Sequence, residues 1–196
     1  MTKQVPDKKQ AVLDAALTLF TDCGFHGTPT SKIAKQAGVA TGTLFHYFKT
    51  KEELINTLYY NLKEELGREI MAGYEEIPTI EGKFKHMWVN SINWGINNPL
   101  KFHFLEHYSS SPFIKAVSHE EFMKNYIKLY DIYREGVDKE LLRNISVELA
   151  VNTVYYAIKG VVLQILSGSQ QNNEDKLINE SFDLIWNGLS TRKKEE

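Results

Sequence analysis

The amino-acid sequence predicts an all-α protein: an N-terminal three-helix unit containing a helix-turn-helix, then a larger helical domain, about nine helices in all. Apolar residues recur at helical spacing between most breaks in the chain. No stretch sustains the alternation of a strand. The breaks are short clusters of turn-forming residues: Pro78, Asn97-Asn98-Pro99, Ser109-Ser110-Ser111-Pro112, Arg143-Asn144, and Gly168 through Asn173.

Residues 1–7 are polar. From Lys8 to Thr21, Ala11, Val12, Ala15, Ala16, Leu19 and Phe20 follow helical spacing, and Gly24 stops the helix. This helix supplies a third wall, filled by Phe20 and Phe25, because two short helices cannot bury a core alone. Thr30 or Ser31 can cap the next helix, whose apolar face is Ile33, Ala34 and Ala37. Gly38 reaches positive φ at no steric cost and ends it, and Val39 pins the turn. A second short helix, from about Ala40 to Phe48, turns Leu44, Tyr47 and Phe48 one way and leaves Thr41, Gly42, Thr43 and His46 on the other side. Thr50 and Glu53 have capping-box spacing. They open a long helix to about Gly73 with the stripe Leu54, Ile55, Leu58, Tyr59, Leu62, Leu66 and Ile70. Its 24 or so residues would make a rod of about 36 Å. Helix, tight turn and helix in this order describe a helix-turn-helix.

The stretch AGVATGTLFHYFKTKEEL, residues 37–54, resembles the signature of the tetracycline-repressor (TetR) family of transcriptional regulators. The likeness is specific over about residues 8–60 and architectural beyond. It implies a DNA-binding domain over 1–51 and a helical ligand-binding and dimerisation domain over 52–196. The implied function is that of a ligand-responsive regulator, most often a repressor, that needs no cofactor and is not an enzyme. The resemblance places Thr41, Gly42 and Thr43 at base-reading positions, with Ser31 reaching an adjacent base. Thr30, His46, Tyr47 and Lys51 match positions that hold phosphates. It also implies a homodimer, through helices 146–167 and 174–191, on a palindromic double-stranded operator. The chain departs from the family pattern at Phe45, where a tyrosine is common, and at Ala40, where a serine is common. These changes remove a phosphate-contacting hydroxyl and a cap on the second helix.

The residue chemistry agrees. The major groove accepts one helix, and short threonines let its backbone approach the bases. Thr30 and Lys51 stand at helix starts, where free amides and the helix dipole favour an anion. Net charge is −2, but residues 1–51 carry +4 and the remainder −6. A basic head on an acidic body suits a DNA-binding domain joined to a sensing domain.

The body reads as helices over roughly 80–97, 100–109, 118–140, 146–167 and 174–191. Ser118 to Glu121 forms a second capping box, and Ser146 can cap the next helix. Aromatic residues crowd 84–133. Most belong to a core, but Trp88, Trp94, Phe104, His107, Tyr108, Phe122 and Tyr126 are candidates for an apolar ligand pocket with a few polar handles. Such a pocket suits a flat or greasy molecule, neutral or cationic rather than anionic. The helices at 146–167 and 174–191 carry more apolar surface than one core needs, which points to a second subunit.

A competing motif is His103-Phe-Leu-Glu106-His107, which fits the H-x-x-E-H pattern of inverted zinc peptidases. The alternative it raises is a zinc-dependent hydrolase using His103, Glu106 and His107. That reading needs a third ligand, for which His119 and Glu120 qualify only by proximity, so no metal is expected. A third class, a helical protein-interaction module, predicts neither zinc nor DNA binding. The single cysteine, Cys23, excludes an intramolecular disulfide and reads as a small buried residue. No signal peptide is visible, and the apolar run 155–166 is too short to span a bilayer. These features predict a cytoplasmic protein without a membrane partner.

Overall fold

The computed structural model describes residues 7–109, 127–168 and 173–191. All regular elements among these residues are helical: α1 (Lys8–Cys23), α2 (Thr30–Gln36), α3 (Thr41–Tyr47), α4 (Lys51–Met71), α5 (Ile80–Asn97), α6 (Pro99–Ser109), α7 (Ile127–Asp138), α8 (Val147–Leu166) and α9 (Glu174–Leu189). A 3-10 turn at Tyr74–Glu76 follows α4. Extended pairing among the described residues is limited to one isolated bridge, Leu142 to Ser190. The chain divides into two compact units, Met1–Glu64 with Leu100–Ser118, and Glu65–Pro99 with His119–Glu196. The division falls inside α4. The start of the helix expected at 118–140, its capping box, and Phe122, Tyr126, His119 and Glu120 lie outside the described residues.

In the first unit Asp7 caps α1 by accepting from the amides of Lys9 and Gln10. Gly38 has φ +69°, the left-handed conformation the turn between α2 and α3 requires. Thr50 Oγ1 accepts from Glu53 N at 3.0 Å, and Glu53 Oε2 returns to Lys49 N at 2.6 Å. The expected capping box is therefore present, with the return bond one residue earlier than in the standard form. Two expectations are overturned. The cap of α2 is Pro29, not Thr30 or Ser31, which fall inside the first turn. Cys23 is exposed, not buried, because α1 runs on to it while Phe20 and Phe25 fill the space beneath.

The first core draws on more than α1–α3. Val12, Ala16, Phe20, Ile33, Leu44, Leu54 and Ile55 are fully enclosed, and so are Phe104 and Tyr108 from α6. Tyr108 stacks on Tyr59 of α4 with centroids 3.9 Å apart, and Phe104 meets Phe25 edge-on at 5.6 Å. The Tyr108 hydroxyl donates to Asn56 Oδ1 at 3.0 Å.

In the second unit α5, α8 and α9 pack on one another. Trp88 Nε1 donates to Ile178 O at 3.1 Å, and Phe182 stacks on Trp186. Ser146 caps α8 as expected, accepting from Leu149 N. The strand-like link after α7 is tied to the end of α9 by Arg143 N to Leu189 O and Thr191 N to Leu141 O, both 2.9 Å. The apolar run 155–166 lies in the 20-residue α8, which by length and composition alone is enough to cross a membrane, with mean hydropathy 1.5 over an 18-residue stretch. Leu149, Tyr156, Leu163 and Leu184 are exposed on α8 and α9.

Because Phe104 is enclosed by the N-terminal core, Phe104→Ala should cost about 3–5 kcal/mol of stability. A thermal melt checks this. An unchanged melting curve would remove α6 from that core.

Candidate nucleic-acid interface and ligand cleft

Helix α3 presents two unlike faces. Leu44 is fully buried and Tyr47 half-buried, whereas Thr41, Gly42, Phe45 and His46 are exposed. Thr43 is half-buried at the edge of that outer face, and Tyr47 meets the His46 ring edge-on at 5.4 Å. Ser31 and Thr30 on α2 are exposed and half-buried respectively.

The threonines show why this face is unusual. Thr18, Thr21, Thr57 and Thr153 each donate to the carbonyl four residues earlier in their own helix. The hydroxyls of Thr30, Ser31, Thr41 and Thr43 have no hydrogen-bond partner among the described residues. Their position in the first turns of α2 and α3 denies them a preceding helical turn to bond back to. Neither helix has a side-chain cap, since Pro29 and Ala40 hold the cap positions. The serine missing at position 40 thus leaves the N-terminus of α3 open.

Gly42 adds an independent observation. A Cβ built there meets nothing within 4 Å, and its φ is not positive. Glycine in an exposed helix costs about 1 kcal/mol relative to alanine, and nothing in this chain requires it. Phe45, absent from the expected site residues, shares this face one turn from Thr41 and is 38% exposed. Its helical spacing from Thr41 was the available signal.

Lys51 opens α4 with its ammonium 5.9 Å from the centroid of the Phe20 ring. Burial pulls its pKa below the ordinary lysine value. The same cation–π contact fixes a flexible side chain beside the recognition helix. Lys32, Lys35 and Lys49 are exposed on the same unit.

The described residues expected around a ligand are divided between the two units. Phe104 and Tyr108 are enclosed in the first core, and His107 on the same helix is exposed. Trp88 is buried in the second unit beside Phe182, with centroids 6.3 Å apart. Trp94 lies at a cleft of about 600 Å³ between the end of α4 and α5, lined by Glu65, Glu69, His86, Asn90, Asn93 and Trp94. This lining is polar. Of the peptidase-like motif, His103 and Glu106 are half-buried and His107 is exposed. Among the described residues no group of three or more His, Cys, Asp or Glu side chains is placed to hold a metal ion.

An outward recognition helix on a helix-turn-helix, joined to a helical second unit, defines a DNA-binding transcriptional regulator. Comparison with known proteins gives the same class. The sequence model of the bacterial regulatory proteins of the tetR family matches residues 12–58, and that of the tetracyclin repressor-like C-terminal domain matches residues 59–191. The fatty acid metabolism regulator protein of Bacillus subtilis is 30% identical over 97% of this chain and 100% of its own length. A protein of Shewanella sp. PV-4, described as a tetR family transcription regulator, superposes with TM-score 0.86 at 32% identity over 94% of this chain and 99% of its own. FadR of Bacillus subtilis, solved in complex with stearoyl-CoA, shares the fold at TM-score 0.73 and 24% identity over 91% and 98% of the two chains. The chain belongs to the TetR family and is a ligand-responsive, DNA-binding transcriptional regulator. The zinc-hydrolase alternative gains no support.

Gly42→Ala should leave the melting temperature unchanged or raise stability by up to about 1 kcal/mol, yet weaken operator binding. Equal operator affinity would show that nothing approaches that backbone closely. Thr43→Ala should cost about 1–3 kcal/mol on a specific site and little on random duplex, whereas Lys51→Ala should weaken both alike and flatten the salt dependence. Titration of labelled duplexes across salt concentrations separates the two behaviours.

Proposed function

We propose that this chain is a cytoplasmic repressor that binds a palindromic operator as a homodimer and releases it when a fatty acyl thioester binds the second unit. The observation that carries the DNA half is the outer face of α3, with its unsatisfied hydroxyls and its glycine. In this reading Thr41, Gly42 and Thr43 read bases, with Ser31 beside them, while Thr30, His46, Tyr47 and Lys51 hold phosphates. Phe45 offers its ring to a thymine methyl or to deoxyribose where a tyrosine would bond phosphate. Two such helices in a symmetric dimer sit about 34–36 Å apart along the duplex.

Support for the effector class comes from the relative similar over its whole length, a fatty acid metabolism regulator. The FadR complex adds that a protein of the same fold accommodates stearoyl-CoA. Within the described second unit, Trp88 with Phe84, Phe182 and Trp186 forms the aromatic layer best suited to an acyl chain. Helices α4 and α6 carry the chain between the units, so they are the route by which effector binding reaches the DNA-binding unit. The effector shifts the equilibrium only by its differential affinity for the two states. Selection of duplexes from a random pool, repeated with stearoyl-CoA, tests this reading. An enriched palindrome released by the thioester supports it, and a palindrome held equally with and without it removes the effector class.

The dimer reading rests on Leu149, Tyr156 and Leu163, which recur at seven-residue intervals on α8, with Leu184 on α9. Their spacing makes one stripe that a partner helix covers, and it accounts for the apolar character of α8 without a bilayer. Tyr156→Asp combined with Leu184→Asp should give monomers in light scattering and lose cooperative operator binding. A variant that remains dimeric would place the interface elsewhere.

A further inference from the structure

Helix α4 is held differently along its length. Leu54, Ile55, Leu58, Tyr59 and Leu62 are buried, and no residue of α4 after Leu62 is. Leu66, Ile70 and Met71 are half-buried, whereas Gly67, Arg68 and Glu69 are exposed. Apolar packing therefore weakens where α4 continues into the second unit, which begins at Glu65.

Polar bonds from α5 take over there. Trp94 Nε1 donates to Glu65 Oε1 at 3.3 Å. Asn90 Nδ2 donates to Glu69 O and Ile70 O at 3.3 and 3.4 Å. His86 Nε2 lies 2.7 Å from Ala72 O, and a carbonyl only accepts, so this nitrogen carries the proton. The donors at 86, 90 and 94 stand four residues apart on α5 and share one face. Their acceptors run the opposite way along α4, from Ala72 back to Glu65. The result is a polar ladder between antiparallel helices. Its rungs from His86 and Asn90 satisfy carbonyls that the end of α4 leaves without an intrahelical partner.

The other face of α5 belongs to the aromatic layer. Phe84 and Trp88 meet Trp186 and Phe182 of α9, with centroids 5.7 and 6.3 Å apart. Two residues along a helix turn the direction by about 200°, so 84 and 88 point away from 86 and 90. A shift of α5 imposed at the aromatic layer is thus delivered to α4 through the ladder. Apolar contact is non-directional and lets helices slide. Hydrogen bonds weaken steeply off line, so a row of them fixes both register and tilt.

We infer that His86, Asn90 and Trp94 are positioning residues for the regulatory response, gripping the end of α4 so that a rearrangement of α5 resets its direction. The inference rests on the ligand-responsive character of the protein and not on the identity of the effector. By linkage, an effector that changes operator affinity obliges operator to change the second unit in return. The test therefore needs no effector.

The experiment is hydrogen exchange, read by mass spectrometry on the full-length protein with and without a saturating operator duplex from the random-pool selection. In the wild type, operator should change exchange across residues 65–77 by about threefold or more. Asn90→Asp and Trp94→Phe each remove a donor with little change of shape. With helix content retained and operator affinity within about twofold of wild type, both should cut that change to below about twofold. His86→Gln, whose side-chain amide still donates, should keep more of the response than His86→Leu. A wild-type segment that does not respond to operator would overturn the assignment. So would an undiminished response in Asn90→Asp and Trp94→Phe, even with lowered melting temperatures, or an equal loss in the two His86 variants. Stearoyl-CoA forms a separate arm: a segment that responds to operator but not to the thioester supports the ladder and removes the effector class.

Discussion

Two helices of seven residues cannot enclose a hydrophobic core, and the way this chain meets that constraint shapes the rest of it. Helices of seven residues, such as α2 and α3, have too few internal hydrogen bonds to be stable alone and depend on what their apolar faces bury. Here α1 and the first turns of α4 supply most of that surface. Phe104 and Tyr108 of α6 supply the remainder, with Tyr108 stacked on Tyr59 and bonded to Asn56. The DNA-binding unit is therefore completed by a helix from beyond residue 99. A close-packed interior transmits displacement because it has few voids to absorb it. Any change in the direction of α4 or α6 must be felt under α2 and α3.

The same economy explains what the unit exposes. A threonine inside a helix ordinarily bonds to its own preceding turn, as four do here. At a first turn there is no such carbonyl, so Thr30, Ser31, Thr41 and Thr43 keep donors and acceptors for something else. Gly42 weakens α3 with no steric or backbone need, and Phe45 leaves apolar surface in water. The glycine and the exposed ring cost the isolated protein stability, whereas the hydroxyls are open to water. The groove of DNA, which proteins of this class bind, offers hydroxyl partners, close approach and methyl groups at once.

Local rules made much of this legible. The helix-turn-helix could be read because its signals are short-range: Gly38 at the turn, the Leu44 and Phe48 face, and the Thr50–Glu53 cap. The bounds of α5 and the start of α8 followed from Pro78, Pro99 and Ser146 for the same reason, although the cap of α5, Thr79, was not among the signals. What escaped depended on tertiary placement. Whether Phe104 and Tyr108 line a ligand pocket or a core is set by which helix they meet, and period alone cannot say. Cys23 looked buried by residue type but falls on the outer side of an α1 that extends further than its spacing implied. Thr30 and Ser31 looked like caps by residue type, although the backbone of Pro29 takes the cap position. The acidic balance of the body suggested a neutral or cationic ligand. A domain-wide charge, however, does not fix the potential of any one pocket.

Helix α4 ties these observations together through its length. Its N-terminus, with Lys51, follows directly on α3. Its C-terminus lies in the second unit, where His86 and Asn90 of α5 bond the carbonyls at its end. The two ends do not communicate by charge: 21 residues span about 32 Å, against a screening length of about 8 Å in physiological salt. Coupling between them must be mechanical, and the Tyr59–Tyr108 stack is what ties the first part of α4 to the core beneath the DNA-binding face.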